Sequence, residues 1–238
     1  AEMHLVDERI VGRNPRSASD AEAAALPLTA LTAWEILFHR LRVTDPVPGA
    51  APAVLIIGGA GGDGSIALQI LRALTHQTVI ATASRPETQE WVKALGAHHA
   101  IDHSRPLAAQ IEALGIGAPA FVFSTNHTEQ YVGQIADFIA PQGRFGLIDD
   151  PDTLDIMPFK LKAVSAHWEL MFTRPLFQTP DITRQGEILD EVADLVDAGR
   201  IRSTATEALG TITADSLKRA HALLETGKAR GTIVLEGF

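Results

Sequence analysis

A glycine-rich segment lies between an apolar run and a helical pattern, and its spacing could hold phosphate groups. Residues 54–57 are apolar, residues 59–64 read G-x-G-x-x-G, and a helical pattern follows over residues 65–74. In such loops one glycine permits a tight turn, one lets the backbone approach a pyrophosphate, and the last lets helix and strand pack closely. The helix start adds free N–H groups and a positive dipole end. The segment predicts a dinucleotide site that uses Gly59, Gly61, Gly62 and Gly64; the alternative is a glycine turn that binds nothing.

The end of the next strand predicts which dinucleotide binds. NAD-binding units usually place an acidic residue about 20 residues further on, where it holds the ribose 2′-hydroxyl. Here the apolar strand over residues 78–83 ends in Ser84 and Arg85 instead. A hydroxyl and a guanidinium suit a 2′-phosphate, because Arg binds phosphate through charge-assisted bonds. We therefore expect NADPH, with His103 sharing the phosphate charge; alternatively, Arg85 is an exposed residue before a helix and His103 faces solvent.

Asp63 is the one loop residue whose charge is unfavourable for a phosphate site. Its carboxylate could compete with phosphate for the same N–H groups or repel the dinucleotide. Alternatively, it caps or charge-complements the helix start while it points away from the ligand. The sequence leaves both interpretations open.

Composition excludes several classes of protein. The 238 residues are 46% hydrophobic and 21% charged, which is ordinary for a globular chain, and the net charge is −9. Nucleic acid and anionic membranes are therefore poor partners. The chain has no cysteine, so it has neither disulfides nor thiolate metal sites, and this fits a reducing compartment. Residues 1–4 form no basic, apolar leader and we expect no run of membrane-spanning length, so the sequence predicts a cytoplasmic protein.

Strands alternate with amphipathic helices through the middle of the chain. This pattern is typical of a parallel sheet covered by helices on both faces. We predict an α/β Rossmann fold, a doubly wound, six-stranded parallel sheet of order 3-2-1-4-5-6. The predicted strands are 54–57, 78–83, 98–102, 120–123, 144–148 and 164–170, and the helices between them are 65–74, 87–95, 107–114 and 129–139.

The two ends of the chain look different from the middle. Residues 4–11 alternate like a strand, and helices are predicted over residues 21–25 and from about 29 to 37. Two further amphipathic helices, 187–198 and 216–226, precede a closing strand at 232–235. These ends are predicted to be parts of a second domain.

Several segments together resemble the medium-chain dehydrogenase/reductase superfamily. They are V-D-E-R-I-V-G at 6–12, A-A-A-L-P-L-T-A-L-T-A-W-E at 23–35, the glycine loop, and G-K-A-R-G-T-I-V-L at 227–235. Within it, G-R-F-G-L-I-D-D-P at 143–151 and H-W-E-L-M-F-T-R at 167–174 resemble the zinc-type alcohol dehydrogenase-like branch, close to quinone oxidoreductases. The chain departs from the family pattern at Asp63, usually apolar, and at Thr232, usually Lys.

The resemblance implies how the chain divides. Family members begin with a GroES-like barrel, and this chain starts at what looks like its final strand. Residues 1–36 would then be a remnant of the catalytic domain with a bridging helix, 37–180 the NADP-binding Rossmann domain, and 181–238 the return to the catalytic domain. Zinc is not expected, because the family's cysteine ligands are missing. His98, His99, Asp102 and His103 alternate across a strand and cannot converge, so no metal is predicted there either.

The resemblance also implies further site residues and an activity. Thr32 matches a threonine near the nicotinamide end, and Ser124, Asn126 and Ile148 follow strands at the carboxyl edge where the nicotinamide ribose would lie. Alternatively, Thr32 makes a helix contact and the others are ordinary turn residues. The implied protein is an NADPH-dependent, homodimeric reductase of a quinone or enone-like small molecule. The proton donor is unassigned, and a non-catalytic NADPH-binding or scaffold module is the rival hypothesis.

Overall fold

The computed structural model describes residues 3–237, so residues 1, 2 and 238 of the predicted end segments lie outside it. Its centre is a six-stranded parallel sheet of order β3-β2-β1-β4-β5-β6, which confirms the predicted fold. The strands are β1 (Ala51–Ile57), β2 (Thr78–Thr82), β3 (His99–Ile101), β4 (Pro119–Ser124), β5 (Arg144–Leu147) and β6 (Ser165–Trp168). Two short parallel strands, β7 (Ala205–Ala208) and β8 (Thr232–Val234), pair separately.

Helices follow the strands in the predicted alternation. They are α1 (Asp20–Ala24), α2 (Pro27–Trp34), α3 (Gly62–Leu74), α4 (Pro86–Ala94), α5 (Leu107–Ala113), α6 (Val132–Phe138), α7 (Thr173–Phe177), α8 (Arg184–Asp197) and α9 (Ala214–Glu225). A π-helical segment, Glu35–Arg40, continues α2 without a break, and we call α2 and this segment together the bridging helix. In the described part of the chain, 3₁₀ turns lie at Glu8–Ile10, Thr128–Gln130 and Met157–Lys162.

The central strands are buried on both faces, which explains their continuous apolar runs. Successive side chains of a strand point to opposite faces, so Phe121 and Phe123 of β4 lie in one core while Val122 lies in the other. The first core packs against α2, α3 and α8, and the second against α5 and α6. This packing fixes the strand ends that carry the candidate site.

The order of the sheet reverses at β1, which pairs with β2 on one side and β4 on the other. Leu55 aligns with Ile80 and with Val122 in these two parallel ladders. Open α/β sheets bind ligands in the crevice beyond the carboxyl ends of the strands at such a switch point. The glycine loop leaves β1 at this place.

The prediction of a strand at residues 4–11 is wrong. Glu8–Ile10 is a 3₁₀ turn, and the Asp7 side chain accepts a hydrogen bond from the Arg9 backbone N–H at 2.9 Å. A strand needs a hydrogen-bonded neighbour, and within residues 3–237 no strand pairs with this segment. It packs against α8 instead, where a Cβ on Gly186 would come within 2.8 Å of the Val11 carbonyl oxygen.

The helical stretch that runs from α1 through the bridging helix also corrects the expectation that no apolar run reaches membrane-spanning length. Residues 20–40 are long and apolar enough by length and composition, and among the described residues this is the one helix that is. However, 67% of its apolar window is buried inside the protein, where α2 packs against α3 and α8. Its apolar character is that of a core helix.

Candidate dinucleotide site

A cleft of about 430 Å³ opens beyond the carboxyl ends of β1, β2 and β4. Its walls come from the glycine loop, the residues after β2, β3 and β4, and a C-terminal segment, residues 227–231. The lining residues that the sequence predicted are Gly61, Gly62, Ser84, Arg85, His103 and Asn126. The lining residues that it did not predict include Gly58, Thr82, Thr125, His127, Tyr131, Leu224, Gly227, Ala229 and Gly231.

The glycine loop is anchored to the end of β2 by its own backbone. The Gly58 N–H donates to Thr82 Oγ1 at 3.0 Å, and the Gly59 N–H donates to the Thr82 carbonyl at 3.2 Å. Gly58 has φ +80°, a left-handed conformation that glycine adopts readily. A Cβ on Gly59 would lie 2.8 Å from the Ala81 Cβ, so Gly59 serves the packing of the loop on β2 and does not line the cleft.

Gly61 occupies the N-cap position of α3, and no side chain caps this helix start. The unpaired N–H groups of the first turn are therefore available to an anion. A Cβ on Gly61 would come no closer than 3.6 Å to the surrounding atoms. The protein thus has room for a side chain at Gly61. A glycine is expected at such a position when a bound ligand occupies that space.

Gly64 is different, because a Cβ there would lie against the Gly58 carbonyl and 2.7 Å from Gly59 Cα. We expect Gly64→Ala to destabilise the protein by about 1–3 kcal/mol, since the added methyl forces the loop away from α3. Denaturant unfolding measures this loss. Gly133→Ala is the matched control, because its Cβ meets nothing within 4 Å on α6 and should stabilise slightly. Equal stability of the Gly64→Ala and Gly133→Ala proteins would contradict the packing role of Gly64.

Ser84 and Arg85 lie at the cleft, where the sequence placed a 2′-phosphate. Arg85 Nη2 donates to the Lys228 carbonyl at 2.8 Å, and Arg85 Nε lies 2.8 Å from Glu87 Oε1. The Nε contact has the distance of an ion pair but not the angle of a hydrogen bond. The guanidinium is about one-third exposed, and the exposed Glu87 carboxylate is a weak competitor for it.

The C-terminal segment forms the outer wall of the cleft. The Gly231 N–H donates to the Ala60 carbonyl at 2.9 Å, and Gly231 pairs with Gly61 as an isolated β-bridge. The Arg230 guanidinium lies 4.8 Å from the centre of the Trp91 ring, a cation–π contact that fixes the segment to α4. The glycines of G-K-A-R-G at 227–231 were the available sequence signal for this wall.

His103 and Asn126 line the same cleft, on the sides given by β3 and β4. Burial lowers the pKa of the His103 imidazole below its ordinary value. The Asp102 charge opposes this shift, and the nearby Arg85 charge adds to it. His103 lies on the same cleft as Arg85, and its share in binding a 2′-phosphate stays a prediction.

Ser124, Thr32 and Ile148 do not line the cleft. The Ser124 hydroxyl is fully buried and lies 2.8 Å from the Thr128 hydroxyl, so it supports the turn after β4. Thr32 is buried in the bridging helix, and Ile148 packs beside the core on the same face of the sheet. Their roles at the nicotinamide end stay predictions.

Asp63 lies in the first turn of α3, and its Oδ1 is buried without a hydrogen-bond partner among the described residues. Burial raises the pKa of Asp63 to about 6. The capping interpretation finds no side-chain hydrogen bond to support it, since Gly61 is the N-cap. Asp63 therefore lies at the helix start that is predicted to receive phosphate, and its effect on an anionic ligand stays a prediction.

The structure gives no support to a zinc centre in this part of the protein. Within residues 3–237, no group of three or more metal-ligating side chains converges, and the whole chain lacks cysteine. His98 is already engaged, because its Nδ1 accepts from the Val79 N–H at 2.8 Å and its Nε2 lies 2.8 Å from Arg72 Nη1. The residues present therefore do not fit a zinc site, and no chemistry is assigned to one.

The doubly wound sheet, the glycine loop at its switch point and the cleft beyond it are the features of a dinucleotide-binding α/β protein. Residues 95–235 match the family of zinc-binding dehydrogenases. The chain belongs to this family, within the medium-chain dehydrogenase/reductase superfamily, as the sequence resemblance implied.

Individual relatives agree with this assignment. A zinc-type alcohol dehydrogenase-like protein of Staphylococcus aureus (strain MSSA476) is 35% identical over 99% of this chain and 70% of its own length. The human mitochondrial NAD(P)H oxidoreductase RTN4IP1 is 27% identical over 99% of this chain and 60% of its own. A crystal structure described as a zinc-dependent alcohol dehydrogenase from Rhizobium etli CFN 42 is 68% identical, with a TM-score of 0.97 over 99% of this chain and 69% of that one. The chain spans about 60–70% of the length of these three relatives.

Proposed function

We propose that this chain is the cofactor-binding part of an NADPH-dependent reductase that acts on a small electrophilic carbonyl compound, an enone or a quinone. The observation that carries the proposal is the joint placement of Arg85, Ser84 and the glycine loop in one cleft. When bound, NADPH supplies the hydride. The human relative named above as an NAD(P)H oxidoreductase supports a nicotinamide cofactor for the family.

The protein's own residues bind and orient the dinucleotide. The free N–H groups at the start of α3 receive the pyrophosphate, while Gly61 and Gly62 keep the loop open to it. Arg85, held by the Lys228 carbonyl, faces the 2′-phosphate, and the C-terminal segment limits access of water to the cleft from outside. No residue is assigned as proton donor.

Asp63 should make dinucleotide binding depend on pH. Its pKa of about 6 means that it is mostly ionised at pH 7.5, where its charge repels phosphates. We expect Asp63→Asn to tighten NADPH binding at pH 7.5 by roughly fivefold, about 1 kcal/mol of charge interaction. Binding by the unmodified protein should tighten as pH falls from 7.5 to 5.5, while the variant should respond less. Unchanged affinity and pH dependence in the Asp63→Asn protein would show that Asp63 faces away from the ligand.

The same variant should also change the pH dependence of stability. Because the native pKa of Asp63 is raised above its ordinary value of 3.8, stability is lost as pH rises through about 6. Asp63→Asn should therefore gain more stability at pH 8 than at pH 4, measured by thermal unfolding at both values.

We also propose a cytoplasmic homodimer that pairs through the outer edge of β6. This strand is at the edge of the sheet, where unpaired backbone groups favour a second strand. Trp168, Leu170 and Phe172 are exposed beside it. Sedimentation should give twice the chain mass, and a monomer at micromolar concentration would contradict the proposal.

Activity is tested by following NADPH oxidation with a quinone and with an enone. Turnover that needs NADPH supports the reductase. Tight NADPH binding without turnover of any such acceptor would favour the rival hypothesis, a non-catalytic NADPH-binding or scaffold module. The departure from the family pattern at Asp63 is the observation that favours this rival.

A further inference from the structure

Two glutamates are buried together away from the cleft. Glu35 begins the π-helical segment of the bridging helix, and Glu169 directly follows β6. Both carboxyl side chains have no exposed surface. A buried charge is costly unless it is paired and hydrogen-bonded, so the partners of these two groups decide their protonation.

Each glutamate has one arginine. Arg174 Nη1 lies 2.5 Å from Glu35 Oε2, and Gln185 Nε2 donates to Glu35 Oε1 at 3.0 Å. Arg40 Nε donates to Glu169 Oε2 at 2.7 Å. Among residues 3–237, Glu169 Oε1 and Glu35 Oε2 are both buried without a hydrogen-bond partner. Arg174 Nη1 also lacks one, so its contact with Glu35 Oε2 has the distance of an ion pair but not the angle of a hydrogen bond.

The two carboxyl groups are also close enough to hydrogen-bond with each other. Two ionised carboxylates only accept hydrogen bonds, so this contact requires that one of them carries a proton. Burial and the Glu35 charge together raise the pKa of Glu169 to about 7, against the opposing Arg40. The proton shared by the two unpartnered oxygens is assigned to Glu169 Oε1, because the Arg174 cation already lies 2.5 Å from Glu35 Oε2.

We propose that Glu35 and Glu169 share one proton, carried on Glu169 Oε1, and that the shared proton fastens the bridging helix to the carboxyl ends of β5 and β6. The Glu169 N–H donates to the Leu147 carbonyl at 3.1 Å, next to Ile148. Thr32 lies one turn before Glu35 on the bridging helix. The pair therefore positions both residues predicted at the nicotinamide end; this consequence rests on the proposed function, whereas the shared proton does not.

The surrounding charges leave Glu169 to titrate near neutrality. His39 and Arg40 face the pair from the π-helical segment, Arg174 from α7, and Asp181 binds Arg174 at 2.9 Å. Burial lowers the pKa of His39, with Arg174 and Arg184 adding to this effect, so His39 is neutral above pH 7. The hydrogen bond from the Thr179 hydroxyl lowers the pKa of Asp181, and the hydrogen bond and charge of Arg174 lower it as well, so Asp181 stays ionised.

The direction of the pH effect follows from these values. The native pKa of Glu169 is raised above its ordinary value of 4.5, so the protonated native state is favoured. The stabilisation is complete below about pH 4.5 and is lost as pH rises through about 7. The bridging helix should loosen when the proton leaves.

Carboxyl-carbon NMR of protein labelled only at glutamate tests the proton directly, because Asp63 is then unseen. We expect one glutamate to titrate near pH 7, and Glu169→Gln to remove that signal. Glu90→Gln, at an exposed position on α4, is the matched control and should retain it. Hydrogen-exchange protection over residues 35–41, corrected for intrinsic rates, should fall several-fold from pH 6 to 8.5 in the unmodified protein and much less in Glu169→Gln.

Absence of a glutamate titrating near pH 7 in the unmodified protein would overturn the proposal, even if Glu169→Gln failed to fold. Protection that is equal at pH 6 and 8.5 would overturn the fastening role. Failure to bind any dinucleotide, with the titration present, would instead count against the proposed function alone.

Discussion

Gly61→Ala should weaken the binding of both NADPH and NADH by roughly a hundredfold while the protein stays folded. The added methyl meets no protein atom within 3.6 Å, so the fold can accommodate it. It would, however, stand between the backbone and the pyrophosphate, at a cost of about 3 kcal/mol in binding. Isothermal titration measures the affinities, and unfolding should change by less than about 1 kcal/mol.

Gly133→Ala, the variant with open space on α6, is again the matched control and should bind like the unmodified protein. If Gly61→Ala binds both dinucleotides normally, the pyrophosphate does not lie on this loop. If it loses binding only because it unfolds, Gly61 is needed for the packing of the loop and not for the space of a ligand.

Arg85→Ala should weaken NADPH by roughly tenfold to a hundredfold and leave NADH nearly unchanged. The physical reason is the loss of charge-assisted bonds to the 2′-phosphate, each about 1.5–3 kcal/mol, which NADH never makes. The structural cost is small, because the variant loses only the Lys228 contact and a partly exposed ion pair with Glu87.

A second arginine separates this effect from a general loss of positive charge. Arg105 is exposed and does not line the cleft, so Arg105→Ala should leave the NADPH to NADH affinity ratio unchanged. Equal losses for both dinucleotides in Arg85→Ala would remove the 2′-phosphate assignment.

The sheet could be predicted from sequence because its signals are local and repeated. Apolar runs such as 54–57 and 120–123, separated by amphipathic helices, fix a parallel sheet, and right-handed crossovers restrict its order. The same reasoning failed at residues 4–11, because alternation alone does not supply a pairing neighbour. The π-helical continuation after Trp34 and the strand Ala205–Ala208 were also not predicted, since neither has a strong local pattern.

The candidate site was predictable where one segment supplies it and not where distant segments meet. The glycine loop, Ser84 and Arg85 belong to a single βαβ unit with known spacing. The wall formed by residues 227–231 depends on tertiary contacts such as that between Gly231 and Ala60. The buried acid pair is similar, because Glu35 meets Gln185 across 150 residues of sequence.

The most direct test of this account is a titration of the unmodified protein with NADPH and with NADH at one pH and salt concentration. We expect NADPH to bind at least about tenfold more tightly than NADH, because of the interaction of Arg85 with a 2′-phosphate. Binding of neither dinucleotide, or a preference for NADH, would contradict it.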